Sequence, residues 1–311
     1  MPSPSTPAPD RRPRLLVVEL WGLGDLALAV PFLREAGRHA EVTLLAKSHA
    51  APLLRRFCAE IEHISFTAPW TVFRGKYRLH RWPWREMWRI TRELRSRRFD
   101  VAVSARRDPR DHVLMRLAGA RRRLGFPRFG SSLLLTEPLS PPAHPHRAEH
   151  WRSLAETLGW ELAPVAPAPR RGRRAVIHTG AGQSTRLWPL ERFDEIAARM
   201  RAAGWEVTLL DDSLRDLDQL LARLSAADRF IGNDSGPGHL AALLGVPTFT
   251  IFGPQLPELF APQHPQAAWI EGAPCPYKPC FDFCRYAELH CIRNLTTDAV
   301  WPRLADWLAR G

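Results

Sequence analysis

Residues 14–46 read RLLVVELWGLGDLALAVPFLREAGRHAEVTLLA, and this stretch decides the fold class. Arg14 to Leu20 is an almost unbroken apolar run, which suits a buried strand. Trp21 to Asp25 is a tight turn built on Gly22 and Gly24. A helical stretch follows to about Gly37, and Glu41 to Ala46 (EVTLLA) is a second strand. Strand, glycine turn, helix and strand make one βαβ unit, so the sheet here is expected to be parallel.

The alternation continues outward. Ile61 to Phe66 is strand-like, Trp84 to Arg97 is an amphipathic basic helix, Phe99 to Ser104 is a strand, and a helix is expected near Pro109 to Leu117. Around Glu161 to Arg174 the pattern dissolves into ELAPVAPAPRRGRR, Pro-rich, basic and aperiodic, which reads as a linker. Then the βα pattern restarts. Strands are expected at Ala175–Thr179, Trp205–Leu210, Arg229–Ile231 and Pro247–Phe252. Helices are expected at Leu190–Ala203, Leu214–Leu224, His239–Leu244 and Thr297–Ala309, with a turn over Gly232–Gly238. The expected fold class is α/β, two doubly wound Rossmann-like domains, with ligands at the carboxyl ends of the strands.

Hydrophobic residues make up 45% of the 311, with 12 Trp and 14 Phe, enough for two packed cores. The formal net charge is +12. Lys occurs only at Lys47, Lys76 and Lys278, so nearly every basic residue is Arg. GC-rich codon usage would produce this, and so would a partner rich in phosphate: nucleic acid, an anionic membrane or a phosphorylated glycolipid. The charge alone does not choose. No apolar run reaches the length of a membrane span, and Met1 to Asp10 lacks the apolar core of a signal peptide. A cytoplasmic protein is expected, with peripheral attachment to a membrane left open. Four of five cysteines, Cys275, Cys280, Cys284 and Cys291, crowd one segment, which leaves a metal or packed thiols as alternatives.

Gly22-x-Gly24-x-x-Ala27 satisfies the dinucleotide fingerprint. The second strand ends at Ala46-Lys47, with no carboxylate for a ribose, although Lys47 would suit a 2′-phosphate. An NADP-dependent oxidoreductase on Gly22, Gly24, Ala27 and Lys47 is therefore one alternative. Asp25 would repel a pyrophosphate at that turn. Facing an uncharged hydroxyl it suits a general base, and as a first-turn acid it equally suits a helix cap.

Three further pieces follow strands. The loop His178-Thr179-Gly180-Ala181-Gly182 lets backbone N–H groups approach phosphate oxygens, and Arg186 adds a permanent charge, although an ordinary βα loop reads the same way. Asn233-Asp234-Ser235-Gly236-Pro237-Gly238-His239 opens a helix and so makes an anion site. There Ser235 is expected to face the anion, and Asp234 to fix the turn through its own backbone. Phe252-Gly253-Pro254 turns the chain after the last of these strands.

Together LLVVELWGLGDLALAVPFLRE, HTGAGQSTRLWPLERF and FIGNDSGPGHLAALLGVPTFTIFGP resemble the ADP-heptose:lipopolysaccharide heptosyltransferase family, glycosyltransferase family nine. The resemblance covers nearly the whole chain and implies a GT-B architecture. The chain is expected to divide into a disordered tail over 1–13, an acceptor-binding Rossmann-like domain over 14–163, a linker over 164–174 and a nucleotide-sugar-binding domain over 175–311. It also implies inverting transfer with no metal and no cofactor, from a nucleotide sugar, ADP-linked in the family. The acceptor class is a phosphorylated glycolipid or glycan at the inner membrane; no nucleic acid is implied. By residue, the resemblance makes Asp25 the catalytic base, with Gly22 and Gly24 in the acceptor-side loop. Thr179, Gly180, Arg186, Asp234, Ser235, Gly236 and His239 would hold the donor. Two departures stand out. Arg186 replaces a usual Lys. After Leu210 a βα unit of the family is missing, leaving Asp211 or Asp212 as the acid for a donor ribose. A catalytically idle relative that only binds a nucleotide sugar or glycan is the second alternative.

Overall fold

The computed structural model describes residues 11–72, 78–167, 170, 172–280 and 283–310. The first ten residues of the expected tail lie outside them. In chain order the elements are β1 (Arg14–Glu19), α1 (Leu23–His39), β2 (Glu41–Ala46), α2 (Ala50–Phe57), β3 (Glu62–Ser65), α3 (Trp84–Ser96), β4 (Val101–Ser104), α4 (Pro109–Leu117), β5 (Arg122–Gly125), β6 (Glu137–Pro138) and α5 (Arg147–Thr157). There follow β7 (Arg174–His178), α6 (Leu190–Ala202), β8 (Glu206–Leu210), α7 (Leu217–Ala226), β9 (Arg229–Asn233), α8 (Gly236–Leu243), β10 (Thr248–Phe252), α9 (Pro257–Phe260), β11 (Ala268–Glu271), α10 (His290–Arg293) and α11 (Thr297–Ala309). Among the described residues no helix is long and apolar enough to cross a membrane.

The first sheet runs β3-β2-β1-β4-β5-β6, with every pair parallel, which is the doubly wound order with its reversal between β1 and β4. Right-handed crossovers place α1 and α2 on one face. The return from β3 runs the other way, so α3 and α4 cover the opposite face. The second sheet runs β11-β10-β9-β7-β8, again all parallel. It is the same order with the third strand absent. The chain passes from β8 through Asp211 and α7 directly to β9, so the unit missing from the sequence is missing from the sheet edge. Trp188, Phe193, Ile196, Ile231, Phe249, Val300, Leu304 and Trp307 join one core in this half, and α11 is anchored through Trp307 Nε1, which donates to Gln266 O at 2.8 Å. Each such side chain contributes about 1.5–3 kcal/mol by leaving water.

By compactness the chain divides elsewhere than at a single cut near 163. One unit holds the residues up to Leu20, Phe32–Pro141 and Ser153–Glu161; the other holds Trp21–Pro31, Pro142–Arg152 and Leu162–Gly311. The N-terminal glycine turn therefore groups with the second sheet. The turn after β9 is also shorter than expected. The strand runs on to Asn233 and α8 starts at Gly236, because Pro237 sits in the first turn, where its missing N–H costs nothing.

Candidate functional site

The site begins where two helix starts meet within the second unit. A Cβ on Gly24 would lie 2.8 Å from His239 Cδ2, and a Cβ on Gly236 would lie 3.0 Å from Leu23 Cβ. Each glycine is needed because the other turn's side chain fills the space. The N-termini of α1 and α8, each with a partial positive charge, thus come together with Asp25 and His239 beside them.

Asp25 is half-buried in the first turn of α1, and its Oδ2 accepts from Gly22 N–H at 3.3 Å. This is one half of a capping box, so the capping role is present in the structure. Its charge also reaches the other turn, where it raises the pKa values of Asp234 and His239.

Asp234 is 4% exposed, and its Oδ2 lies 3.2 Å from Arg186 Nη1. Burial pushes its carboxyl up to about 6; Arg186 opposes the rise and Asp25 adds to it. Its side chain therefore holds Arg186 and not its own turn. Ser235 also departs from expectation. Its hydroxyl donates to Asn233 O at 3.2 Å and makes no cap bond to α8. The start of α8 is consequently left without a side-chain cap, which keeps it open to an anion.

His239 is buried, and burial brings its pKa down to about 4; His146 and Arg186 act in the same direction and Asp25 against. The imidazole is neutral near pH 7. Its Nδ1 and Arg186 Nε are buried with no hydrogen-bond partner among the described residues.

The loop after β7 is fixed by Asn233, a residue the sequence reading did not single out. Fully buried, it accepts from Trp188 N–H at 3.0 Å and donates to Thr179 O at 2.7 Å. One side chain thus ties the β9 turn to Thr179 on one side and to the segment after Arg186 on the other. The signal available in the sequence was an amide at the end of an otherwise apolar strand. Thr179 N–H and Oγ1 both bond Leu210 O, at 2.8 and 3.3 Å. Gly180 packs on Asp212, whose carboxylate occupies the space a Cβ would need. The exposed Asp212 is therefore the acid that stands beside this loop, while Asp211 turns to Ser213.

The remaining sequence candidates fall outside this group. Lys47 Nζ donates to Thr71 O at 3.3 Å. Gly253 packs against Ile292 of α10. The four clustered cysteines are free thiols. Cys280 and Cys291 have pKa values raised first by burial and further by the charges of neighbouring cysteines. Among the described residues no three His, Cys, Asp or Glu are grouped so as to hold a metal.

The family model for glycosyltransferase family 9 (heptosyltransferase) matches residues 214–290. Lipopolysaccharide heptosyltransferase 1 of Pseudomonas aeruginosa is 25% identical over 91% of this chain and 90% of its own length. Among solved structures, a family 9 glycosyl transferase from Veillonella parvula superposes with a TM-score of 0.75 at 16% identity, covering 98% of this chain and all of the other. The E. coli heptosyltransferase WaaC with ADP gives a TM-score of 0.72 at 17% identity, covering 94% of this chain and 99% of the other. The fold is thus that of the GT-B heptosyltransferases. The αβ order, the two glycine turns and the family match agree: this chain is similar to the family 9 glycosyltransferases, the heptosyltransferase family, in sequence over residues 214–290 and in fold along nearly its whole length.

Proposed function

We propose that the chain transfers a heptose-like sugar, with inversion and without a metal, from a nucleoside-diphosphate donor to a lipopolysaccharide-core or related glycan. ADP is the favoured nucleotide, because the structural relative WaaC is described with ADP. The observation that carries the reading is the meeting of Gly24 with His239, which sets Asp25 beside an uncapped helix start and Arg186. Asp25 accepts the proton of an acceptor hydroxyl, whose oxygen attacks the anomeric carbon. The bond from that carbon to the diphosphate breaks, and the departing oxygen gains negative charge. Arg186, the N–H at the start of α8 and neutral His239 are fixed in advance where that charge develops, which lowers the barrier without reorganisation. Asp212 is placed to accept from a ribose hydroxyl beside Gly180. The acceptor is a phosphorylated glycolipid, and the enzyme works at the cytoplasmic face of the membrane that carries it.

A thermal-shift panel of ADP, GDP, UDP and NADP tests the donor reading, since a ligand bound only by the native state raises its melting temperature. ADP is expected to give the largest shift. A larger shift with NADP would replace the reading by the oxidoreductase. Arg186→Ala should weaken diphosphate binding by about 1.5–3 kcal/mol, the worth of a charged hydrogen bond. Unchanged affinity in calorimetry would remove Arg186 from the site.

A further inference from the structure

The positive charge of this protein is concentrated. Residues 78–133 hold sixteen Arg against five Asp or Glu, a net of +11, while the whole chain carries +12. Acids are about as frequent there as elsewhere; the difference is in Arg, 16 of the chain's 41 within 56 of its 311 residues, and codon usage that acts on the whole chain does not concentrate Arg in one stretch. Among the described residues, the same stretch holds all the exposed large hydrophobic side chains of the first unit: Leu79, Trp84, Trp88, Val113, Leu117, Phe129 and Leu133. Apart from Phe129, in the loop just before Ser131, these belong to α3, to α4 and to the short turns Leu79–Arg81 and Ser131–Leu134. α3 packs on α4, and α4 packs on the Ser131–Leu134 turn, so these elements form one layer on the face of the sheet away from α2.

The layer is amphipathic. α3 buries Ile90 and Leu94 and turns Trp84 and Trp88, one helical turn apart, outward with Arg85, Arg89, Arg92 and Arg95. Trp88 is 62% exposed, with the Arg92 guanidinium 4.5 Å above its ring; Leu133 is 86% exposed. Trp84 Nε1 donates to Leu79 O at 2.9 Å. A run of ring contacts, Phe66 to Trp70 to Trp82 to Trp84, at 6.4, 5.6 and 5.5 Å, ties the exposed indole to the buried core. A helix face of arginine and tryptophan above a fixed base suits the boundary between lipid headgroups and acyl chains. Arginines meet phosphates there, while indoles and aliphatic side chains enter the acyl edge. Nucleic acid would satisfy the arginines and stack on the indoles, but it offers Leu79, Val113, Leu117 and Leu133 no apolar medium. A second copy of this face would meet it with like charge.

We propose that the α3–α4 face of the first unit docks the protein on an anionic bilayer surface, with Trp84 and Trp88 as anchors and Arg85, Arg89 and Arg92 as phosphate contacts. The proposal deepens the reading of a membrane-borne acceptor and is tested without one. The full chain is sedimented with sucrose-loaded vesicles of phosphatidylcholine alone or mixed with phosphatidylglycerol. Binding is expected only to the anionic vesicles and should fall as salt rises. The Trp84→Ala, Trp88→Ala double variant should bind roughly tenfold or more weakly, since two buried aromatic anchors are lost, while its melting temperature in solution is kept. Arg85→Glu with Arg92→Glu should weaken binding at least about tenfold. The same charge change at Arg215 and Arg223, in the second unit, should leave it unchanged. Absence of binding to anionic vesicles at low salt overturns the proposal. So does an equal loss from the Arg215 and Arg223 reversals, or displacement from vesicles by duplex DNA whose own binding survives the Trp changes. ADP affinity is measured on every variant. A wild type that binds ADP but not anionic vesicles sinks the docking face alone, whereas a wild type that docks but ignores ADP sinks the donor reading alone.

Discussion

The same five residues, Glu-Val-Thr-Leu-Leu, occur in β2 (Glu41–Leu45) and in β8 (Glu206–Leu210), each the second strand of its sheet. Their registers also correspond: Glu41 pairs with Arg14 and Leu44 with Val17, while Glu206 pairs with Arg174 and Leu209 with Ile177. Yet Leu44 is fully buried and Leu209 is 37% exposed. The difference lies outside the pentapeptide. β2 has β3 on its far side, whereas among the described residues no strand pairs with the far side of β8. Burial of a strand is set by its neighbours as much as by its own pattern. The comparison also locates the phosphate turns. They follow β7 and β9, the central pair where the strand order reverses, so losing the third strand trims an edge and leaves the reversal point whole.

The largest effect tests that last claim. If the reversal point is intact, the wild type transfers sugar and Asp25→Asn lowers the rate roughly 10²–10⁴-fold with ADP affinity nearly unchanged, because a base acts on the acceptor. Near-normal turnover in Asp25→Asn would leave the contact with Gly22 as its whole role. A wild type that binds ADP yet transfers nothing would show that the missing edge disables catalysis, which is the idle-relative reading.

The next effect tests the paired strands directly. Leu44→Ala leaves a cavity against the covered face of the sheet and should cost about 2–5 kcal/mol. Leu209→Ala removes a partly solvated side chain and should cost below about 1 kcal/mol. Urea unfolding of both variants gives the comparison. Equal costs would mean that another surface covers β8.

Sequence periodicity was enough to place the strands and helices that alternate along each sheet. β2, α4 and α11 coincide with the expected spans, and the missing unit after Leu210 was visible as a shortened connection. Elements without their own pattern were not legible. β5 is Arg122-Arg123-Leu124-Gly125, held as a strand because β4 and β6 pair with it. α2 starts with no side-chain cap, and β6 has only two residues. At the site, the turns themselves could be read because glycine and asparagine carry backbone meaning locally. The packing of Gly24 on His239, the pairing of Asp234 with Arg186 and the bridging by Asn233 could not, since each joins residues distant in sequence.

His239 gives a pH signature of the intact reversal point. Its folded pKa is about 4, below the ordinary 6.5. The unfolded chain binds the proton first, so this residue's contribution to stability falls as pH drops from 6.5 towards 4. Asp234 works oppositely: its folded pKa of about 6 exceeds the ordinary 3.8, so its cost shrinks as pH falls below 6. The two nearly offset in the wild type. Subtracting His239→Gln from wild type isolates the histidine, and the difference should fall by about 3 kcal/mol at most across that window. A flat difference would mean that water reaches the ring.

The smallest expected effect is none, on removal of divalent metal. A Mg²⁺ or Mn²⁺ beside a diphosphate takes carboxylate oxygens as its protein ligands. Here Asp234 is held by the Arg186 guanidinium, Asp25 accepts from Gly22, and the cation's task of meeting developing charge falls to Arg186 and the start of α8. Transfer should therefore persist in excess EDTA. The cysteine quartet follows the same logic for a structural ion. Among the described residues no three His, Cys, Asp or Glu are grouped so as to hold an ion, and the four cysteines are free. Chelation should leave the melting temperature unchanged, and protein purified without chelator should titrate as free thiols. Loss of activity restored by Mg²⁺ would overturn the charge assignment at α8. About one equivalent of zinc, lost together with thermal stability in Cys280→Ser, would show instead that the four cysteines close around an ion.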